Sequence, residues 1–352
     1  MHSPGRDEIA AIGHRVLSGK PIDRSEAEQL AATENTHLDD LFYWANRIRS
    51  ERQGPHAHLC SIIAARFGGC PEDCKFCAQS ARWLPQAERR RISPEQIVAA
   101  AIEAETWGSE CFGIVTSGRG VPGGQLSEIE DAIRRISARG GITPCASLGL
   151  LTAESAGRLA RAGLRRYNHN LETGRRFFPA IVSTHTYDER VQTLVVARQA
   201  GLELCAGGIF GVGEAWGDRL DLAFELVPFA PRVVPLNFLH PIPGTPLADH
   251  PPLRPMEILK IVAVFRFVFP DAILKVAGGR EKNLRDLQSW IFRTGANGIL
   301  VGNYLATCGR GASADLQMLA DAEMPVADVK TASCAAAVRP MHRTGRGTPS
   351  AT

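Results

Sequence analysis

Three thiols stand within eight residues in Cys70-Pro71-Glu72-Asp73-Cys74-Lys75-Phe76-Cys77, directly after a strand-like run and the Gly68-Gly69 break. Thiolates are soft ligands that suit zinc or iron–sulfur clusters, and a loop this tight can wrap one face of a single cluster. A closed structural zinc site wants a fourth ligand close by, usually from paired C-x-x-C units. Three thiols leave one metal position open, and an iron without a protein ligand can bind a substrate or cofactor. The count itself points to chemistry. A zinc loop and a chance cluster are the alternatives.

Four further cysteines, Cys60, Cys111, Cys145 and Cys205, fall on four separate apolar runs. A buried cysteine is commonly only a small hydrophobe. Inward positions of a closed sheet converge on one axis, however, so the four together could form a second metal site. Another polar run, Tyr167-Asn168-His169-Asn170-Leu171-Glu172-Thr173, ends a strand-like stretch. Alternation sends Asn168, Asn170 and Glu172 to one face and Tyr167, His169 and Leu171 to the other. Polar side chains facing a barrel interior need partners, which a polar ligand can supply. His169 reads as a packed, hydrogen-bonded histidine rather than a metal ligand or base. Gly118-Arg119-Gly120-Val121-Pro122-Gly123 fits the dinucleotide pattern G-x-G-x-x-G. Pro122 removes a backbone donor from any phosphate cradle there, so the run reads as the loop after the second strand.

The elements that must hold these residues alternate. Apolar runs near 59–65, 111–116, 142–148, 164–171, 202–210, 232–239, 272–277 and 297–302 read as strands. Amphipathic stretches at 94–107, 126–139, 152–162, 187–200, 214–229, 255–268 and 283–294 read as helices between them. Ser93 before Pro94 and Thr152 with Ser155 mark starts; Gly108, Gly163 and Gly201 mark stops. Eight strands separated by helices imply an α/β fold with a parallel sheet, most simply a (β/α)8 TIM-type barrel; a doubly wound open sheet is the rival. In such a barrel, function sits at the C-terminal ends of the strands, where the cysteine loop would fall. Residues 22–52 read as helical, with Asp23 or Ser25 as cap. The expected organisation is an N-terminal helical extension (1–56), the barrel (57–323) and a mildly basic, flexible tail (324–352), with Cys334 unrelated to the clusters.

The 352 residues can bury a large core. A net charge of +3 and the absence of a long basic tract make nucleic acid an unexpected partner. No apolar run reaches membrane-spanning length, and residues 1–8 lack a signal-peptide core, which implies no membrane partner and a cytoplasmic protein. Nine cysteines scattered through so large a chain fit metal or redox use better than a disulfide framework.

The spacing C-x3-C-x2-C with Phe76 just before the last cysteine resembles radical S-adenosylmethionine enzymes. The wider stretch, from Cys60-Ser61-Ile62-Ile63-Ala64-Ala65 to Gly69-Cys70-Pro71-Glu72-Asp73-Cys74-Lys75-Phe76-Cys77-Ala78-Gln79-Ser80, resembles the biotin synthase family, and the likeness runs over residues 38–319. That resemblance implies a 4Fe–4S cluster on Cys70, Cys74 and Cys77, with S-adenosylmethionine at the open iron. It implies an auxiliary iron–sulfur cluster, 2Fe–2S or larger, on Cys111, Cys145 and Cys205 as sulfur donor, and dethiobiotin as substrate. An external one-electron reductant of flavodoxin or ferredoxin type and a homodimer also follow from it.

By the same match, Phe76, Asn170, Glu172, Arg190 and Gly211 would serve S-adenosylmethionine. Arg190 would clamp its carboxylate with a planar fork. Gly211 lies in the run Gly207-Gly208-Ile209-Phe210-Gly211-Val212-Gly213, which would support the adenine. Asn168, Asn170, Asn237 and Thr307 would hold dethiobiotin. The sequence departs from the family in three places. Glu172 stands where an aspartate is frequent, and Cys308 where a second hydroxyl residue is common. Lys275 replaces the arginine that is the usual fourth auxiliary ligand. Lysine does not reproduce arginine chemistry, so Cys60 is the candidate fourth thiolate. Two other classes fit parts of the chain. One is a hydrogenase-maturase-like or methylornithine-synthase-like radical enzyme, which is not expected to carry this second cysteine set. The other is a non-catalytic iron–sulfur electron carrier, against which the asparagine-rich strand and the open iron position speak.

Overall fold

The eight apolar runs form eight parallel strands of one closed barrel: β1 (His58–Phe67), β2 (Cys111–Thr116), β3 (Thr143–Ser147), β4 (Arg166–Asn168), β5 (Glu203–Cys205, resuming at Gly208–Phe210), β6 (Val233–Phe238), β7 (Ile273–Val276) and β8 (Gly298–Leu300). The computed structural model describes residues 3–326. Each strand pairs with its sequence neighbour, and β8 returns to β1 through the register His58 with Gly298 and Cys60 with Leu300. The open-sheet rival is therefore excluded.

Alternation along these strands sorts the side chains. Phe112, Ile114, Ala146, Tyr167, Leu204, Val234, Leu236, Leu274, Val276 and Ile299 join the main apolar core between sheet and helices. Their alternate neighbours, Cys60, Cys111, Cys145, Cys205, Val233, Ile273 and Leu300, form two small separate clusters inside the barrel. Burying each large apolar side chain contributes roughly 1.5–3 kcal/mol, so the outer layer supplies most of the cohesion and frees the interior for polar work.

The fifth strand is interrupted at Ala206 and Gly207 because its neighbours crowd the backbone. A Cβ on Gly207 would stand 2.0 Å from the Pro235 carbonyl oxygen, and one on Gly208 would stand 2.4 Å from that of Glu172. No other residue fits either place.

The helices begin where the caps lie. Ser93 accepts from the Gln96 N–H at the start of α4 (Pro94–Thr106), and Thr152 from Ser155 N–H before α6 (Ala153–Arg161). Between them runs α5 (Gly123–Arg139); α7 (Tyr187–Gln199), α8 (Trp216–Leu226), α9 (Pro255–Val268) and α10 (Arg280–Leu284) follow, with α11 (Ala312–Asp321) last. The N-terminal extension differs from the reading of one helix over 22–52. Helix α1 (Arg6–Leu17) precedes it, and the rest divides into α2 (Arg24–Ala31), capped by Asp23, and α3 (Leu38–Gln53). Helix α3 lays Leu41, Phe42, Ala45 and Ile48 inward and packs on α1 and α9.

The far end of the domain is tied down. Met324 is buried, the Ala57 N–H donates to the Pro325 carbonyl at 2.8 Å, and Val326 bridges to Ala57. The remainder of the tail, with Cys334, lies outside the described residues.

Arg266 on α9 is fully buried and donates to the carbonyls of Gly295 (2.7 Å), Phe269 (2.9 Å), Pro270 (3.0 Å) and Ala272 (2.9 Å) and to Asn297 Oδ1 (2.9 Å). It stitches α9 to the connections around β7 and β8. Truncation leaves buried acceptors with no donor, so Arg266→Met is expected to lower unfolding free energy by about 3–5 kcal/mol, measured by urea unfolding. A loss below about 1 kcal/mol would show that the carbonyls find other donors.

Candidate active site

The cysteine loop leaves the C-terminal end of β1 and closes on itself. The Cys70 N–H donates to the Gln79 carbonyl (2.9 Å), the Ala81 N–H to the Cys70 carbonyl (2.8 Å) and the Cys77 N–H to the Cys74 carbonyl (3.0 Å). Cys70 is buried and Cys74 and Cys77 half-buried. Burial, then the charge of Cys77 and other neighbours, pushes the Cys74 thiol up; burial likewise leads in pushing Cys77 up to about 11, with Cys70 adding to it. Among the described residues no three His, Cys, Asp or Glu side chains converge as they would around a single ion. A multi-iron cluster spreads its thiolates more widely, and three soft donors on one closed loop are the set it takes.

Two acids inside the loop anchor it to the segment before α7. Burial would raise Asp73, but hydrogen bonds from Ser183 and Thr184 outweigh that and hold its carboxyl at about 2. Glu72 meets Thr184 Oγ1 (2.6 Å) and His185 Nδ1 (2.5 Å). His185 Nε2 in turn faces the Arg190 guanidinium at 3.0 Å, and Arg190 reaches Glu172 Oε1 at 3.0 Å and donates to the Asn170 carbonyl at 2.6 Å. A continuous polar chain thus runs Glu72–His185–Arg190–Glu172, from the cysteine loop to the rim of β4. Residues 72 and 185 lie too far apart in sequence for their pairing to be read from spacing.

The barrel mouth encloses a cavity of about 350 Å³. Phe76, Cys77, Asn168, Asn170, Glu172, Arg190, Asn237, Lys275 and Thr307 all border it. Gly211 does not. Its N–H donates to Glu214 Oε1 at 2.9 Å, while Ile209, two residues earlier, faces the cavity. His169 borders it too, contrary to the expected alternation. The regular strand stops at Asn168, and the backbone turns outward until Glu172 adopts φ 72°. Burial, followed by the Arg190 and His185 charges, lowers the His169 pKa far below its usual value, so the ring is neutral.

Two buried atoms here lack partners: Asn168 Oδ1 and His169 Nε2. An orphaned acceptor beside a cavity is what a ligand N–H would satisfy. The Asn237 amide is tied on both sides, donating to the Gly208 carbonyl (3.1 Å) and accepting from the Gly278 N–H (3.0 Å). Gln79, His240 and Tyr304 also line the cavity and were not foreseen. Tyr304 and His240 sit within stretches that border Thr307 and Asn237 in sequence, which is the one signal that could have found them.

Deeper in the barrel, Cys60 and Cys111 are register partners on β1 and β2. The sulfurs of Cys111 and Cys145 lie against one another, with Cα atoms 6.5 Å apart, and Cys60 packs beside them. Cys205 lies across the interior with Val233 and Ile273. Lys275, buried and at the cavity floor, lies between the two groups, its ammonium facing the Cys205 and Cys60 sulfurs. All four thiols therefore point into the barrel, below the mouth cavity.

Residues 66–226 match the Radical SAM superfamily, and residues 235–325 match the Biotin and Thiamin Synthesis associated domain. The chain is 47% identical over 322 residues to a biotin synthase of Geotalea uraniireducens, spanning 91% of this chain and 98% of that protein. A biotin synthase of Geotalea daltonii is 48% identical over 321 residues, with the same coverage. This chain belongs to the biotin synthase family. Membership of the radical SAM superfamily brings with it a 4Fe–4S cluster and S-adenosylmethionine. Solved structures share the barrel with the biotin synthase family at lower identity. A methylornithine synthase superposes with a TM-score of 0.79 at 18% identity, covering 92% of this chain and 99% of that one. An FeFe-hydrogenase maturase from Carboxydothermus hydrogenoformans gives 0.76 at 19%, covering 92% and 80%. At that identity the likeness extends to the fold alone. Among the described residues no helix is long and apolar enough to cross a membrane.

Proposed function

We propose that this chain inserts sulfur into dethiobiotin to form biotin, with Cys70, Cys74 and Cys77 holding a 4Fe–4S cluster and Cys111, Cys145, Cys205 and Cys60 holding an auxiliary iron–sulfur cluster. The observation that carries the reading is the stacking of two thiol sets on either side of one cavity that contains an unpartnered amide oxygen. When bound, the first cluster supplies the electron that cleaves S-adenosylmethionine to a 5′-deoxyadenosyl radical, and the second supplies sulfide.

The protein's own residues bind and orient. Arg190 offers its fork to the methionyl carboxylate, exchanging its bond to Glu172, which then turns to the ribose with Asn170. Phe76 and the Ile209 strand edge cover the adenosyl group. Asn168 presents its free oxygen to a ureido N–H, Asn237 holds the neighbouring backbone in register, and Thr307 meets the substrate carboxylate. Lys275 donates to the Cys60 sulfur rather than ligating iron. The reading includes an external one-electron donor of flavodoxin or ferredoxin type, a homodimer and a cytoplasmic location, each implied by the family.

The test is anaerobic reconstitution of the full chain with iron and sulfide, then incubation with S-adenosylmethionine, dithionite and dethiobiotin. Mass spectrometry should find 5′-deoxyadenosine and biotin together. Cleavage of S-adenosylmethionine with dethiobiotin left unchanged would assign the barrel to another substrate. No cleavage at all would leave an electron carrier.

A further inference from the structure

A second concavity, of about 510 Å³, lies against the start of the cysteine loop and shares no lining residue with the mouth cavity. Five arginines line it: Arg66, Arg89, Arg90, Arg91 and Arg119. They come from three places in the chain. Arg66 ends β1, Arg90–Arg91 pairs antiparallel with Arg66 and Phe67, and Arg119 lies in the loop before α5. The floor is the backbone on either side of Cys70.

The charges there are only partly balanced. Arg91 pairs with Glu128 and Arg119 with Glu189. Arg66 spends its guanidinium on the Ser117 carbonyl and on Gln125 Oε1 (2.8 Å), with no carboxylate partner among the described residues. Arg89 and Arg90 are exposed and form no ion pair among the described residues. Arg89 also lies across Gly69: a Cβ there would stand 3.1 Å from its Nε. Gly69 immediately precedes Cys70, and its φ of 63° permits this close cover. A free cation thus rests against the start of the thiol loop.

The far end of that loop borders the mouth cavity, which substrate and S-adenosylmethionine would fill. An electron from outside must then enter at its start. A groove of one sign focuses partners of the other and raises encounter rates. Redox encounters are typically small and transient, which suits a patch of this extent. We propose that the arginine groove is the docking surface for an acidic protein carrying a one-electron redox centre, which delivers its electron through the backbone at 68–70. The donor is oxidised by one electron and the loop's cluster reduced by one, with no proton or group transferred. The inference rests on the reading of Cys70, Cys74 and Cys77 as cluster ligands.

The experiment compares the reconstituted full chain with its R89E/R90E variant, reading 5′-deoxyadenosine formation against reduced flavodoxin, reduced ferredoxin and dithionite in separate series. For the better protein donor, the variant's apparent KM should rise roughly tenfold or more. Added salt should weaken that donor with the unaltered chain and matter little with the variant. Dithionite-driven rates, iron content and melting temperature should be the same in both. An unchanged KM for both protein donors overturns the proposal, as does an equal loss with dithionite. Inorganic phosphate that raises the melting temperature of the unaltered chain alone, with donor kinetics unmoved, would assign the groove to a small anion instead. If the unaltered chain fails to cleave S-adenosylmethionine even with dithionite, the cluster reading falls first and the docking surface with it.

Discussion

Cys74→Ala is expected to abolish 5′-deoxyadenosine formation, whereas Cys145→Ala should keep a measurable fraction of it and make no biotin. The two thiols belong to different sets. Cys74 sits on the loop at the barrel rim, facing Cys77 and the Glu172–Arg190 pair. Cys145 is fully buried below, against Cys111 and Cys60. In the proposed assignment, losing one of three rim ligands would remove the site where S-adenosylmethionine is cleaved, whereas losing an inner thiol would remove the sulfur source and leave the rim intact. Both products are quantified by mass spectrometry in one anaerobic assay. Equal loss of 5′-deoxyadenosine in the two variants would contradict the division between radical formation and sulfur donation.

The second large effect separates Cys60 from Lys275. Cys60→Ser is expected to abolish biotin formation and to alter the Mössbauer signature of the inner iron, while S-adenosylmethionine cleavage persists. Lys275→Met should retain inner iron and shift its spectrum less, because in the proposed assignment the ammonium faces ligand sulfurs, and an outer contact of that kind tunes a cluster rather than holding it. Partners of this outer kind typically cost about 10–100-fold in metal affinity or activity when removed. Cys60 shares one apolar pocket with Cys111 and Cys145, so in the proposed assignment its removal would act at the cluster itself. A Cys60→Ser spectrum identical to that of the unaltered chain would remove it from the ligand set and return the fourth position to Lys275.

Much of the barrel could be read before folding, since strand and helix periods differ and several of the apolar runs were bounded by a cap or a glycine. Ser93, Thr152, Gly108 and Gly163 carried that information locally. Helix α1 escaped because Ile9, Ile12 and Val16 are too few to mark a face until Trp44 and its helix lie against them. The break between α2 and α3 escaped for the opposite reason, since apolar residues continue on both sides of it. Inward placement of Cys60, Cys111, Cys145 and Cys205 followed from pleat alternation in a closed sheet. Alternation failed beyond Asn168, where a left-handed Glu172 ends the strand's regular course. The polar chain from Glu72 to Arg190 and the five-arginine groove were illegible, because each gathers residues from loops that only the finished barrel brings together.

The bridge between Ala57 and Val326 fixes where the domain is entered and left. Ala57 stands at the lower lip of β1, and Cys70 just past its upper lip; a strand of 10 residues separates the two levels, roughly 30 Å. The described chain thus ends at the pole opposite the thiol loop, so a module fused directly after residue 326 would begin on the side of the barrel away from its mouth.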